Sequence, residues 1–168
     1  MKRRLILIRH AKSSWDDSRA EDHARVLNAR GRQSARAIGA WLRDKGYRPD
    51  AILSSDSART TETVDLMQSA WRDLVPVRYL PALYHAPPQI LLEALRTATV
   101  PRVALVAHNP GLGDFAAAMA AEPPAHPDFH RYPTGATTVI DFDSGGWPEV
   151  APGSGRVVDV IVPRDLTG

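Results

Sequence analysis

Unbroken apolar runs of four or five residues alternate along this chain with stretches in which apolar side chains return every three or four positions. Leu5-Ile6-Leu7-Ile8 is the first run and predicts a strand buried on both faces. From Asn28 to Lys45, Ala35, Ile38 and Leu42 recur at helical spacing until Gly46 supplies a stop. Ala51-Ile52-Leu53 predicts a second strand, and a helix from about Ser57 to Trp71 places Val64, Met67 and Trp71 on one face. Val77 to Leu80 predicts a third strand. Pro87-Pro88 then opens a helix through Leu91, Leu92 and Leu95, and Val103 to Ala107 predicts a fourth buried strand. Gly111 to Ala121 is Ala-rich and helical, Glu122 to Pro133 is rich in Pro and His, and Thr137 to Phe142 and Arg156 to Val162 predict a hairpin. This order predicts an α/β three-layer sandwich, a mainly parallel central sheet flanked by helices with a C-terminal edge hairpin, as a single domain over residues 1–168.

Composition narrows the chemistry. A chain of 168 residues suits one well-buried domain. The absence of cysteine excludes a disulfide framework, a thiolate zinc site and every cysteine nucleophile. Lys and Arg total 21 against 19 Asp and Glu, so no global charge points to nucleic acid or an anionic membrane. The apolar run after Lys2-Arg3-Arg4 is too short for a signal-peptide core or a membrane span, and the expectation is a soluble cytoplasmic protein.

Candidate chemistry falls at the carboxyl ends of the predicted strands, where ligands bind in open α/β sheets. Arg9-His10 follows the first strand, Ser54-Ser55-Asp56-Ser57-Ala58-Arg59-Thr60 the second, and His108-Asn109-Pro110-Gly111 the fourth. Two arginines and two histidines thus converge on one crevice, an arrangement suited to a phosphoryl group. A guanidinium makes paired, charge-assisted hydrogen bonds to its oxygens, and helix N-termini add backbone donors. Lys12 and Ser13 lie close enough to add donors, and His85 could line the rim. Asp22-His23 could orient a pocket arginine, but a solvated loop is the commoner reading, and Arg30-Gly31 reads as a helix start.

Three decoys are set aside. His126 and His130 mimic a metal pair, but Pro124, Pro127 and Pro133 break the helix that the pair would need, so no metal is expected. Asp141-Phe142-Asp143 resembles the motif of magnesium-dependent aspartate phosphatases, yet only about 25 residues remain for their further motifs. Ser13 and Ser14 lack a nucleophile elbow.

Four blocks in order resemble the histidine phosphatase superfamily, and within it the SixA-type phosphohistidine phosphatases. They are Leu7-Ile8-Arg9-His10-Ala11-Lys12-Ser13-Ser14-Trp15, Leu27-Asn28-Ala29-Arg30-Gly31-Arg32, Ser54 to Thr63, and Val106-Ala107-His108-Asn109-Pro110-Gly111-Leu112. The resemblance implies a phosphoglycerate mutase-like fold and a cofactor-free reaction in which His10 attacks phosphorus while Arg9, Arg59 and His108 hold the phosphoryl oxygens. Lys12, Ser13, Asp16 and Asn109 would complete substrate binding. A phosphorylated protein of the histidine phosphotransfer type is the implied partner, with phosphate or vanadate as pocket ligands. His10 then needs one ring nitrogen donating, to a backbone carbonyl, so that the other is an unprotonated nucleophile, and His108 would serve best as a cation.

The chain departs from the family pattern at Ala11 and Ala107, where glycine is common. It departs again at Asp16, where mutase-like relatives often carry asparagine; a carboxylate there must turn away, pair with an arginine or act as an acid. No glutamate after Leu80-Pro81-Ala82-Leu83-Tyr84-His85 matches the proton donor of the phosphomonoesterase branches. That absence favours a P–N over a P–O bond, because protonated phosphohistidine expels neutral imidazole unaided. A small-molecule phosphomonoesterase using Asp16 or another acid, and a non-catalytic phosphohistidine-binding module, are the alternatives.

Overall fold

The first strand, β1 (Lys2–Arg9), lies inside the sheet rather than at its edge. The computed structural model describes residues 2–167, which form a six-stranded sheet ordered β3-β2-β4-β1-β5-β6. Here β2 is Ala51–Ser54, β3 Val77–Tyr79, β4 Arg102–Ala107, β5 Thr137–Asp143 and β6 Arg156–Ile161. β1, β4, β2 and β3 run parallel, while β5 pairs antiparallel with β1 and β6 antiparallel with β5. The mainly parallel sheet and its C-terminal edge hairpin are therefore as the apolar pattern predicts.

Alternation along β1 divides the core into two layers. Leu5 and Leu7 join a cluster with Leu91 and Leu95 of α3 (Pro88–Leu95) and with Leu112 and Phe115 of α4 (Gly111–Met119). Ile6 and Ile8 face the opposite layer, with Ile38 and Leu42 of α1 (Ala29–Asp44) and Val64 and Met67 of α2 (Ala58–Gln68). All four β1 side chains are fully buried. Such burial is worth about 2 kcal/mol for each side chain, which explains why this run is apolar on both faces.

Element ends differ from the predicted ones for local reasons. α2 stops at Gln68, and Trp71 reaches the core from a turn, donating Nε1–H to the Gly39 carbonyl at 2.9 Å. α4 stops at Met119 because Ala120 and Ala121 leave it to pair with Gly155. A short C-terminal helix, α5 (Pro163–Thr167), lies beyond the predicted elements and packs on α1. Two of the three decoys are otherwise engaged. Asp141 is buried and takes a two-point ion pair from Arg4, and His126 Nε2 lies 2.7 Å from Asp165 Oδ2.

Candidate active site

Register places the site. Arg9 pairs with Ala107 across β1 and β4, and Ser54 with Val106 across β2 and β4, so three parallel strands end side by side. One residue further on, His10 N–H donates to the Ala107 carbonyl at 3.1 Å and Ser55 N–H to the Val106 carbonyl at 3.0 Å. The His10 and His108 rings consequently lie 5.3 Å apart. Ser57 caps α2 and starts the turn that brings Arg59 over the same strand ends.

Two glycines let helices approach these loops closely. A Cβ on Gly31 would fall 2.0 Å from the Lys12 carbonyl oxygen, and one on Gly111 would fall 1.8 Å from that of Ala86. The first contact seats α1 against the loop after β1. The second seats α4 against the segment that carries His85.

His10 is buried and its Nδ1 lies 2.7 Å from the Ala11 carbonyl oxygen. A carbonyl only accepts, so Nδ1 carries the proton and Nε2 holds the lone pair. Burial, reinforced by the positive fields of Arg9, Arg59 and Arg25, lowers the His10 pKa to about 3. The ring is thus unprotonated at Nε2 across the physiological range.

His108 departs from expectation. Burial, with the neighbouring His10 and Arg59, lowers its pKa to about 2, so the ring is neutral rather than cationic. Its Nε2 lies 2.8 Å from Ser55 Oγ, which also accepts the Ser57 N–H at 3.4 Å and has its own hydrogen free for the ring. That arrangement leaves the proton on Nδ1, a buried atom with no partner among the described residues.

Three guanidiniums surround the histidines. Arg9 donates Nη1–H to the Tyr132 carbonyl at 3.2 Å, and Arg59 donates to the Asp22 carbonyl at 2.6 Å and to Asp22 Oδ2 at 3.0 Å. Arg25, which the apolar pattern does not reveal, is buried and donates Nη2–H to Ser13 Oγ at 2.7 Å. Each retains a buried Nε–H without a partner among the described residues. Burial lowers the pKa of Arg9, and the nearby Arg59 adds to the shift; Arg25 responds in the same way. The site therefore concentrates like charge that an anion would relieve.

Arg25 arrives on a folded-back loop. Ser13 bridges to Leu27, and Ser14 N–H donates to the Val26 carbonyl at 2.7 Å, which sets Arg25 and Leu27 inward and Val26 outward. An arginine two residues before an inward leucine was the available signal. The same loop presents Trp15, 77% exposed, with the Arg25 guanidinium 3.5 Å from its ring centre.

Asp22 is 45% exposed yet tied into the site. Its carboxylate accepts from Tyr84 Oη, Arg59 and, at 3.0 Å, His85 Nε2. Those bonds, Tyr84's foremost, hold it well below the usual carboxylate range, so it stays ionised.

Together these groups line a cavity of about 310 Å³, with Lys12, Ser13, His85 and Asn109 also at its wall. Asn109 is fixed there by donating to the Tyr132 carbonyl at 2.9 Å and accepting the Gly113 N–H at 3.0 Å. Asp16 is the correction to the predicted set. Its backbone N–H is drawn to Ser14 Oγ in an exposed turn, and it lies outside the cavity wall. Asp22 is the sole carboxylate among the described lining residues, facing three arginines and a lysine.

The family model of the histidine phosphatase superfamily (branch 1) matches residues 5–85. An uncharacterized protein of Mycobacterium tuberculosis is 32% identical over 164 residues, covering 94% of this chain and 100% of its own length. An uncharacterized chloroplastic protein of Arabidopsis thaliana is 43% identical over 84 residues, 49% of this chain, and the match spans only 38% of that longer relative. Among solved structures, SixA from Agrobacterium tumefaciens superposes with a TM-score of 0.79 at 29% identity, over 96% of this chain and 98% of that one. With the paired strand-end histidines and the arginines around them, these likenesses place the chain in the histidine phosphatase superfamily, as a SixA-type member.

Proposed function

We propose that this phosphatase removes phosphate from phosphohistidine on a protein, through a covalent intermediate on His10. The observation that carries the reading is the His10 tautomer. A ring whose Nδ1–H is fixed on the Ala11 carbonyl presents a bare Nε2 beside three arginines with unpartnered N–H groups. Nε2 attacks phosphorus as the substrate P–N bond breaks, and the protonated substrate imidazole leaves as the neutral ring. Water then attacks the phosphorus on His10, releasing inorganic phosphate and returning His10 to its starting state. Arg9, Arg25, Arg59 and the Nδ1–H of His108 stabilise the equatorial oxygens in both steps. Lys12, Ser13 and Asn109 stand at the wall as further substrate contacts.

The leaving group follows from Asp22. It is ionised, and its Oδ2 is engaged by Tyr84, His85 and Arg59, so it has no proton for an alkoxide. A phosphohistidine leaving group needs none. The deciding experiment compares kcat/KM on a phosphohistidine protein with that on aryl and sugar phosphates, alongside rapid-quench trapping of labelled phosphate on the enzyme. The expected result is preference for the P–N substrate and a label that disappears in His10→Ala. Sugar phosphates turning over better by orders of magnitude, or no label in the wild type, would overturn the proposal.

A further inference from the structure

A second cavity of about 310 Å³ adjoins the active site and, apart from Lys12, is lined by residues that the phosphoryl chemistry does not use. The two cavities share Lys12 and Thr134 in their walls, so a chain leaving one can continue directly into the other. Arg30 and Gln33 of α1 line it together with Arg131 and Arg164.

Charge is the distinguishing property of this groove. Four cations, Lys12, Arg30, Arg131 and Arg164, face a single carboxylate, Asp128, among the described lining residues. Asp128 reaches only Arg131, at 3.9 Å, and that arginine is 73% exposed. The acidic neighbour of Arg164, Asp165, is taken by His126 at 2.7 Å and by the Val162 N–H at 3.0 Å. Arg30 and Lys12 form no ion pair among the described residues. Elsewhere on this chain surface arginines do find acids, as Arg102 finds Asp50 at 2.8 Å and Arg32 finds Glu62 at 2.5 Å. The groove therefore carries a clear excess of positive charge within one concave surface, where a ligand's charges meet several cations together.

We propose that this groove binds an acidic segment of the phosphoprotein substrate, whose carboxylates lie beside the phosphorylated residue. The proposal rests on the reading of the site as one that acts on a phosphorylated protein. Separate guanidinium forks suit separate carboxylates along a chain, and the volume exceeds what one small anion fills. The contact selects the substrate by its flanking sequence and takes no part in the chemistry.

The test uses the full-length protein and the triple variant Arg30→Gln, Arg131→Gln, Arg164→Gln, none of which lines the catalytic cavity. Two phosphohistidine peptides, one with Asp and Glu flanking the phosphorylated residue and one with Asn and Gln, are compared with free phosphohistidine. In the wild type, kcat/KM for the acidic peptide exceeds that for the neutral one by about tenfold, as three solvent-exposed ion pairs of modest strength would give. In the variant the ratio falls to about one while free phosphohistidine turns over unchanged. An equal ratio in both proteins would overturn the proposal. Calorimetric binding of the unphosphorylated acidic peptide reads the groove independently of turnover. If no phosphohistidine is hydrolysed yet the wild type binds this peptide and the variant does not, the catalytic reading fails and the groove assignment stands. Equal binding by both proteins would sink the groove alone.

Discussion

Asp22 holds Arg59 at two points, accepting one guanidinium N–H on its backbone carbonyl at 2.6 Å and another on Oδ2 at 3.0 Å. The loop residue and the α2 arginine lie 37 positions apart, so this pair fastens the loop after β1 to the start of α2. One carboxylate thus fixes the aim of the Arg59 guanidinium and offsets part of the positive charge around it.

Asp22→Asn separates those two effects. The side-chain bond to Arg59 weakens and the guanidinium loses its fixed aim, so kcat falls by about ten- to a hundredfold. Net positive charge in the pocket rises by one, so inorganic phosphate inhibits more strongly. Steady-state kinetics with phosphate as a competitive inhibitor read both. A fall in kcat accompanied by weaker phosphate inhibition would contradict the positioning role.

Arg25 has buried Nε–H and Nη1–H atoms without a hydrogen-bond partner among the described residues, Asp22 Oδ1 lying 3.6 Å from Nε, and Ser13 Oγ fixes its remaining amine. Lysine at this position keeps the charge and loses the fork. Arg25→Lys is expected to lower kcat/KM by about a hundredfold with an unchanged melting temperature. Near-wild-type turnover would remove Arg25 from the phosphoryl pocket.

Much of this arrangement was legible in the chain, and the reason is the parallel sheet. β1 and β4 are buried on both faces, so they stand out as unbroken apolar runs, and the residue that follows such a run lies at the ligand-binding edge by topology. Arg9, His10 and His108 are therefore visible as candidates. Arg25 is not, and Asp22 shows only as the less common of two readings, a partner for a pocket arginine, because their loop is held by one bridge, Ser13 to Leu27, and by side chains rather than by a repeating pattern. Nor does residue type reveal protonation. His108 looks like a ready cation, and only its burial among other positive groups makes it neutral.

Gly31 tests how closely the site loop depends on α1. Helix propensity alone favours alanine there by about 1 kcal/mol. The added Cβ would meet the Lys12 carbonyl oxygen at 2.0 Å, a backbone atom that cannot swing aside. Overpacking of that kind costs about 1–3 kcal/mol, so the clash wins. Gly31→Ala is expected to lower the melting temperature by about 2–8 °C and to reduce turnover as the Lys12-Ser13 segment shifts. Calorimetry and a rate assay on the same preparation read both. A raised melting temperature would show that the loop yields freely.

The two histidines predict how pH acts on stability and on anion binding. His10 and His108 have folded-state pKa values of about 3 and about 2, against an ordinary value of 6.5. Between these limits the unfolded chain binds more protons than the folded one. Their contribution to stability is thus complete above pH 6.5 and is lost progressively as pH falls toward 3. A bound dianion acts in the opposite sense, since it favours the protonated rings and raises their pKa. Sulfate, which stays doubly charged through this range, is therefore expected to raise the melting temperature more at pH 5 than at pH 8. Thermal melts with and without sulfate at each pH measure the increment, and His108→Gln is expected to flatten its dependence on pH. An increment that is the same at both pH values in the wild type would mean that neither histidine takes up a proton when an anion binds.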